Sequence, residues 1–276
     1  MKRTSTVQRI VKCVFLLFVV CLLLYGFYQE RCLNTQIEAL QSENTILKDK
    51  IEKLENQIAS LSEKTEGVFY WRGQYNYLAI GNSITLHGKA DYWWNKNGMA
   101  ASSEEKDYVH LVQHWLSDNK GPDVYMLPYN FAAWELQSHD RAETLAELDK
   151  YLSKEIDLVT VQLSENVTDL STYENDYREL VKYLIEKCPN AQIIIIDDFW
   201  DNGTKSEVKK LIADEYHIDF ADLSEIKDRD EYKCGLGTTV YGADGAEHIV
   251  EHNGVAKHPG DKGMKYIADS VIGFVR

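Results

Sequence analysis

Basic residues are in short supply: 30 Lys and Arg stand against 44 Asp and Glu, a formal net charge of −14. Binding nucleic acid through its phosphates requires a basic face, so this balance argues against nucleic acid and leans toward a neutral or cationic partner. Cysteine is scarce where the chain folds. Of five, Cys13, Cys21 and Cys32 lie in or beside an apolar N-terminal run. Cys188 and Cys234 remain, either as a disulfide in an oxidising compartment or as two thiols. His248, His252 and His258 lack the HExxH or cysteine-rich spacing of a metal centre, so neither metal nor cofactor is expected. There is no internal repeat and no low-complexity segment.

What is present begins with a membrane signal. Residues 1–9 carry Lys2, Arg3 and Arg9, and residues 10–28, "IVKCVFLLFVVCLLLYGFY", hold one charge, Lys12. A membrane helix needs about 20 such residues. No small-x-small cleavage site follows, which favours an uncleaved anchor over a signal peptide. The basic flank lies on the N-terminal side, so residues 1–9 are expected in the cytoplasm and the bulk of the chain outside, as in a single-pass membrane protein.

Residues 29–65 read as a stalk. Ile37, Asn44, Ile51 and Ile58 occupy heptad a positions, and Leu33, Leu40, Leu47, Leu54 and Leu61 occupy d, the pattern of a parallel two-stranded coiled coil. Across such a pair Glu43 meets Lys48 and Lys50 meets Glu55, both attractive. A homodimer is the expectation. One amphipathic helix packed on the globular part would show the same stripe, but with a broader apolar face.

Residues 66–276 suffice for one well-cored domain. Five β-type runs each precede a helical pattern: "YNYLAI" before "DYVHLVQHWLSD", "DVYMLPY" before "RAETLAELDKYL", "IDLVTVQL" before "YENDYRELVKYLIEKC", "AQIIIIDDF" before "KSEVKKLIADEY", and "IDFADL" before "DKGMKYIADSVIGFV". That alternation predicts an α/β domain with a five-stranded parallel sheet covered on both faces. Ligands of such sheets bind beyond the carboxyl ends of the strands.

At those ends stand the residues that matter. Ser83 in "GNSI" is expected to open the first helix, as a cap or as a nucleophile aided by helix amides. His258 in "KHPGDKGM" is its candidate base, and Asp261 reads as the N-cap of the last helix. Gly98 in "GMAAS" offers a backbone amide and Asn166 in "LSEN" a side-chain amide to an oxyanion. Trp93, Trp94, Trp134 and Trp200 follow strands, where exposed rings stack on sugars and buried ones fill the core. Asn166 and Asn202 each begin a glycosylation sequon, and a glycan on Asn166 would conflict with its proposed role.

The order Ser83, Gly98, Asn166, His258 in these short motifs resembles the SGNH, or GDSL, hydrolase superfamily from about residue 70 onward. The resemblance implies a flavodoxin-like three-layer α/β/α fold and a serine esterase in which Ser83 is the nucleophile and His258 the base. It likewise implies an oxyanion hole of the Ser83 amide, Gly98 and Asn166. Asn82 stands where the family most often has Asp, and Ser164 where it usually has Gly. Val255 stands three residues before His258, where Asp is common, so the third member of the triad is unassigned: a backbone carbonyl, another carboxylate, or none. The expected function is removal of small acyl groups, acetyl among them, with acylated glycan as a candidate substrate. An O-acyltransferase using the same serine and a non-catalytic anchored binding module are the alternatives.

Overall fold

The computed structural model describes residues 69–276 apart from 138–140 and 201–202, together with scattered positions between 31 and 54. It divides into two units, Met1–Val68 and Phe69–Arg276. The apolar run 10–28 lies outside the described residues, and no helix among those described is long and apolar enough to cross a membrane. In the first unit the described positions are helical. Leu33, Ile37, Leu40, Leu47, Ile51 and Leu54 are all exposed there, as is Asn44. Ile58, Leu61, Glu43 and Glu55 fall outside the described residues.

The second unit is built on the five expected strands, β1 (Tyr75–Gly81), β2 (Val124–Asn130), β3 (Leu158–Gln162), β4 (Gln192–Ile196) and β5 (Asp219–Ala221). All pair in parallel, in the order β2-β1-β3-β4-β5. This is the flavodoxin-like winding, whose ligand crevice opens between β1 and β3, where the strand order reverses. The strands bury both faces by alternation. Leu78, Ile80, Val159, Val161, Ile193 and Ile195 enter one core, while Tyr77, Ala79, Leu158, Ile194 and Ile196 enter the other. Each such aliphatic side chain, fully buried, contributes about 1.5–3 kcal/mol.

Helices cover both faces. The first core is closed by the five-residue helix α2 (Ala132–Leu136), α4 (Tyr173–Lys187) and α5 (Thr204–Tyr216), and the second by α1 (Tyr108–Lys120) and α7 (Asp261–Ile272). The segment "RAETLAELDKYL" does not form the single helix expected of it. It splits into a four-residue helix, α3 (Arg141–Thr144), and a 3-10 turn, Leu145–Leu148. Arg141 is buried and ion-paired with Asp176 at 2.6 Å, which fixes the segment by a tertiary contact that periodicity does not encode.

Besides α2, an antiparallel hairpin, β6 (Thr239–Tyr241) with β7 (Glu247–Ile249), and a short helix, α6 (Asn253–Ala256), were not foreseen. A third, smaller core of Trp93, Met99, Ala100, Val240, Val250, Val255 and Ala256 packs the hairpin and α6 against the loop after β1. Cys188 and Cys234 are free thiols. Burial pushes both thiol pKa values up.

Candidate active site

Ser83 follows β1 directly, but it does not open a helix. Residues 83–85 form a single turn, and the first α-helix starts at Tyr108. The cause is Asn82, whose backbone carbonyl accepts from Thr85 and Leu86 and whose side-chain oxygen accepts from the Ile84 amide at 3.0 Å. An Asx turn of this kind satisfies the local amides without helical continuation. Gly81 permits the tight reversal, since a Cβ there would stand 1.9 Å from Thr85 Oγ1. Ser83 is thus half-buried on a sharp turn, with no helix dipole behind it.

The structure brings His258 to it. Ser83 Oγ and His258 Nε2 are 2.8 Å apart, and His258 Nδ1 lies 2.8 Å from the carbonyl oxygen of Gly254. A carbonyl only accepts, so Nδ1 carries the proton and Nε2 presents its lone pair to the serine. The third position left open by Val255 is therefore filled by main chain. Val255 itself is buried in the third core, and its carbonyl accepts from the His258 amide at 2.9 Å. Asp261 is the first residue of α7 rather than its N-cap, a position Gly260 takes. Its carboxylate accepts from the Ser102 amide and hydroxyl at 2.7 and 2.6 Å, so it ties the loop after β1 to the last helix.

Burial, opposed by the Gly254 hydrogen bond and reinforced by the nearby imidazoles of His87 and His252, lowers the His258 pKa to about 4. The base is neutral at physiological pH. Because kcat/KM reports the base in the free enzyme, its acid limb for a small ester should fall near pH 4, with a plateau through neutrality. The stability term has the same direction. Between the ordinary value of about 6.5 and the folded value, the unfolded chain binds a proton that the fold does not, so stability declines as pH falls through that window. A limb near pH 7 in a kcat/KM profile would refute a buried base whose pKa is lowered in the free enzyme.

Of the two loop donors assigned from sequence, one is committed elsewhere. The Gly98 amide donates to Asp107 Oδ2 at 2.9 Å, while Asp107 Oδ1 caps α1 through the His110 amide. Position 98 is glycine for space, because a Cβ would stand 2.4 Å from the Ile84 carbonyl oxygen. Asn166 is exposed beside β3, and its Nδ2 donates to Glu135 Oε2 at 2.6 Å. A primary amide has two N–H groups, so one remains for an oxyanion. The Ser83 amide has no acceptor among the described residues.

Glu135, which sequence reasoning missed, is the hub. Buried on α2, it accepts from Asn82 Nδ2 at 3.0 Å and the Ser164 amide at 2.6 Å through Oε1, and from Asn166 through Oε2. One carboxylate therefore joins the nucleophile turn to the loop carrying Asn166. That loop is strained: Ser164, where glycine is usual in the resembled family, has φ of 118°. It is held by Lys205 Nζ, which donates to the carbonyls of Ser164, Glu165 and Val167 at 2.7, 3.3 and 3.2 Å. Ser164 Oγ adds a 2.5 Å bond to Asp198, which pairs in turn with buried Lys209.

The tryptophans divide. Trp134 is core, edge-on to Tyr177 and under the Arg141 guanidinium, and Trp93 fills the third core. Trp200 stands edge-on to the His258 ring at 5.1 Å. Trp94 and His248 stack at 4.3 Å, and Tyr92 and His252 at 4.5 Å. Asn202 lies outside the described residues.

No protein-family model and no curated protein matches the sequence. Solved structures do. The chain resembles esterases and lipases. A two-domain esterase (CEX) active on acetylated mannans, co-crystallised with mannopentaose, is 17% identical with a TM-score of 0.49, over 72% of this chain and 48% of its own. This chain thus spans about half the length of that esterase. TesA is 14% identical, TM-score 0.46, over 72% of this chain and 96% of its own. An extracellular lipase from Streptomyces rimosus is 15% identical, TM-score 0.44, over 72% and 99%.

Proposed function

We propose that this chain is a serine ester hydrolase of the SGNH type, and the observation that carries the reading is the Ser83–His258–Gly254 relay. Ser83 Oγ attacks the acyl carbonyl as its proton passes to Nε2. The oxyanion so formed accepts from the Ser83 amide and the second N–H of Asn166. Nε2 then returns the proton to the departing alkoxide, leaving an acyl-serine. Water, deprotonated by the same nitrogen, releases the acid and restores Ser83. The Gly254 carbonyl selects the tautomer, as a carboxylate would, but lends the imidazolium less charge stabilisation. A fluorophosphonate probe should label the wild type at Ser83 and leave Ser83→Ala unlabelled. Failure to label the wild type ends the reading.

The proposal extends to setting. Residues 10–28 anchor the chain with the hydrolase domain outside the cytoplasm, and the stalk pairs two copies, a reading supported by helical positions whose apolar a and d residues are exposed. Residues 30–276 should therefore sediment as a dimer and residues 66–276 as a monomer. Asn44→Ile should raise the melting temperature of the stalk and admit trimers, because Asn at a penalises larger assemblies. A monomer of residues 30–276 at micromolar concentration would refute the coiled coil.

A further inference from the structure

A groove of about 260 Å³ is lined by Asp91, Tyr92, Trp94, Ile249, Glu251 and His252, the last an imidazole near enough to His258 to act on it electrostatically. Building on the ester hydrolase reading, we propose that it is a subsite for a neutral sugar, the alcohol portion of the ester that Ser83 attacks.

Three observations define the ligand. First, the two aromatic rings are each backed by an imidazole, Tyr92 by His252 at 18° between planes and Trp94 by His248 at 4°. A ring held on one face is pre-oriented to receive the C–H face of a pyranose on the other, at little further entropic cost. Second, the polar groups are carboxylates. Asp91 and Glu251 are exposed and accept no hydrogen bond from the described residues, so they are available to accept from neighbouring sugar hydroxyls. No Lys or Arg lines the groove, which disfavours phosphate or another anion, and two carboxylates disfavour a long acyl chain. Third, one lining residue, His252, connects the groove to the reaction centre. A Cβ on Gly254 would stand 2.8 Å from His252 Cε1, so the imidazole behind Tyr92 rests on the residue whose carbonyl orients His258.

The elements supplying the groove have no place in the bare α/β scaffold. Trp94 comes from the loop after β1, while His248 and Ile249 come from the β6–β7 hairpin, and the third core locks the two together through Trp93, Val240 and Val250. The groove is therefore rigidly framed although it is open.

The test compares acetylated xylobiose with p-nitrophenyl acetate on the full chain and on Trp94→Ala and Glu251→Gln. The ratio of kcat/KM for the sugar ester to that for the small ester should fall roughly tenfold or more in each variant, chiefly through KM. Quenching of tryptophan fluorescence by unacetylated xylo-oligosaccharide should be lost in Trp94→Ala. An unchanged ratio together with unchanged quenching overturns the proposal. So does a ratio that responds only when acetylcholine replaces the sugar ester, since that would assign the carboxylates and rings to a cation. If the wild type hydrolyses neither ester, the hydrolase reading fails, and quenching that depends on Trp94 still upholds the sugar subsite.

Discussion

Ser83→Ala and His258→Ala should each reduce turnover of a small ester by several orders of magnitude, and the double variant should lose little beyond either alone. The two side chains share one proton transfer across 2.8 Å, so removing either abolishes the same step. Residual turnover above water should persist in each, from the oxyanion donors and binding. Steady-state kinetics of purified, folded variants decides it. Near wild-type turnover in Ser83→Ala would refute the nucleophile, and losses that multiply would show that the two residues act in separate steps. Val255→Asp should not repair the missing carboxylate. It would place a charge in the third core, against Trp93 and Val250, and cost stability before it could approach Nδ1.

Glu135→Gln is the second variant with a large expected effect. All three groups around this carboxylate are donors, and glutamine keeps one accepting oxygen while turning its own N–H₂ toward another donor. Leaving a buried donor unsatisfied costs about 1–3 kcal/mol of stability. The kinetic loss should resemble that of Asn166→Ala, on the order of 10²–10³ in kcat, because an unheld Asn166 no longer aims its free N–H. Combining Glu135→Gln with Asn166→Ala should add little, the mark of one residue acting through the other. Additive losses, or an effect confined to KM, would make Glu135 a purely structural residue.

The five strands were legible because each is an apolar run that closes at a polar loop, and the alternation along "QIIII" divides faithfully between the two cores. Ser83 and His258 were legible from their places at the ends of the sheet. Local geometry was not. Asn82 halts the chain in a turn where a helix start seemed natural, since the competition between its side chain and helical amides is settled by the loop that follows. Gly98 reads from sequence as an available amide, but the Asp107 carboxylate that takes it lies nine residues on, in a contact no spacing rule announces. Glu135 was invisible for a similar reason: an acidic residue on a five-residue helix looks solvated until the loops after β1 and β3 close over it.

The Gly254 carbonyl has a consequence for how such sites are found. No side-chain substitution removes a main-chain oxygen, so an alanine scan of residues 250–257 would leave the orienting acceptor in place at every position but Gly254, where a Cβ would stand 2.8 Å from His252 Cε1, and would report only two side chains at the reaction centre. Surveys that recognise hydrolases by three side chains would count this chain as inactive. The orienting element is vulnerable only to changes in the path of the backbone through α6, such as a proline inserted into that turn. The side chain at position 255 is correspondingly free to serve packing, and Val255 is buried in an apolar cluster.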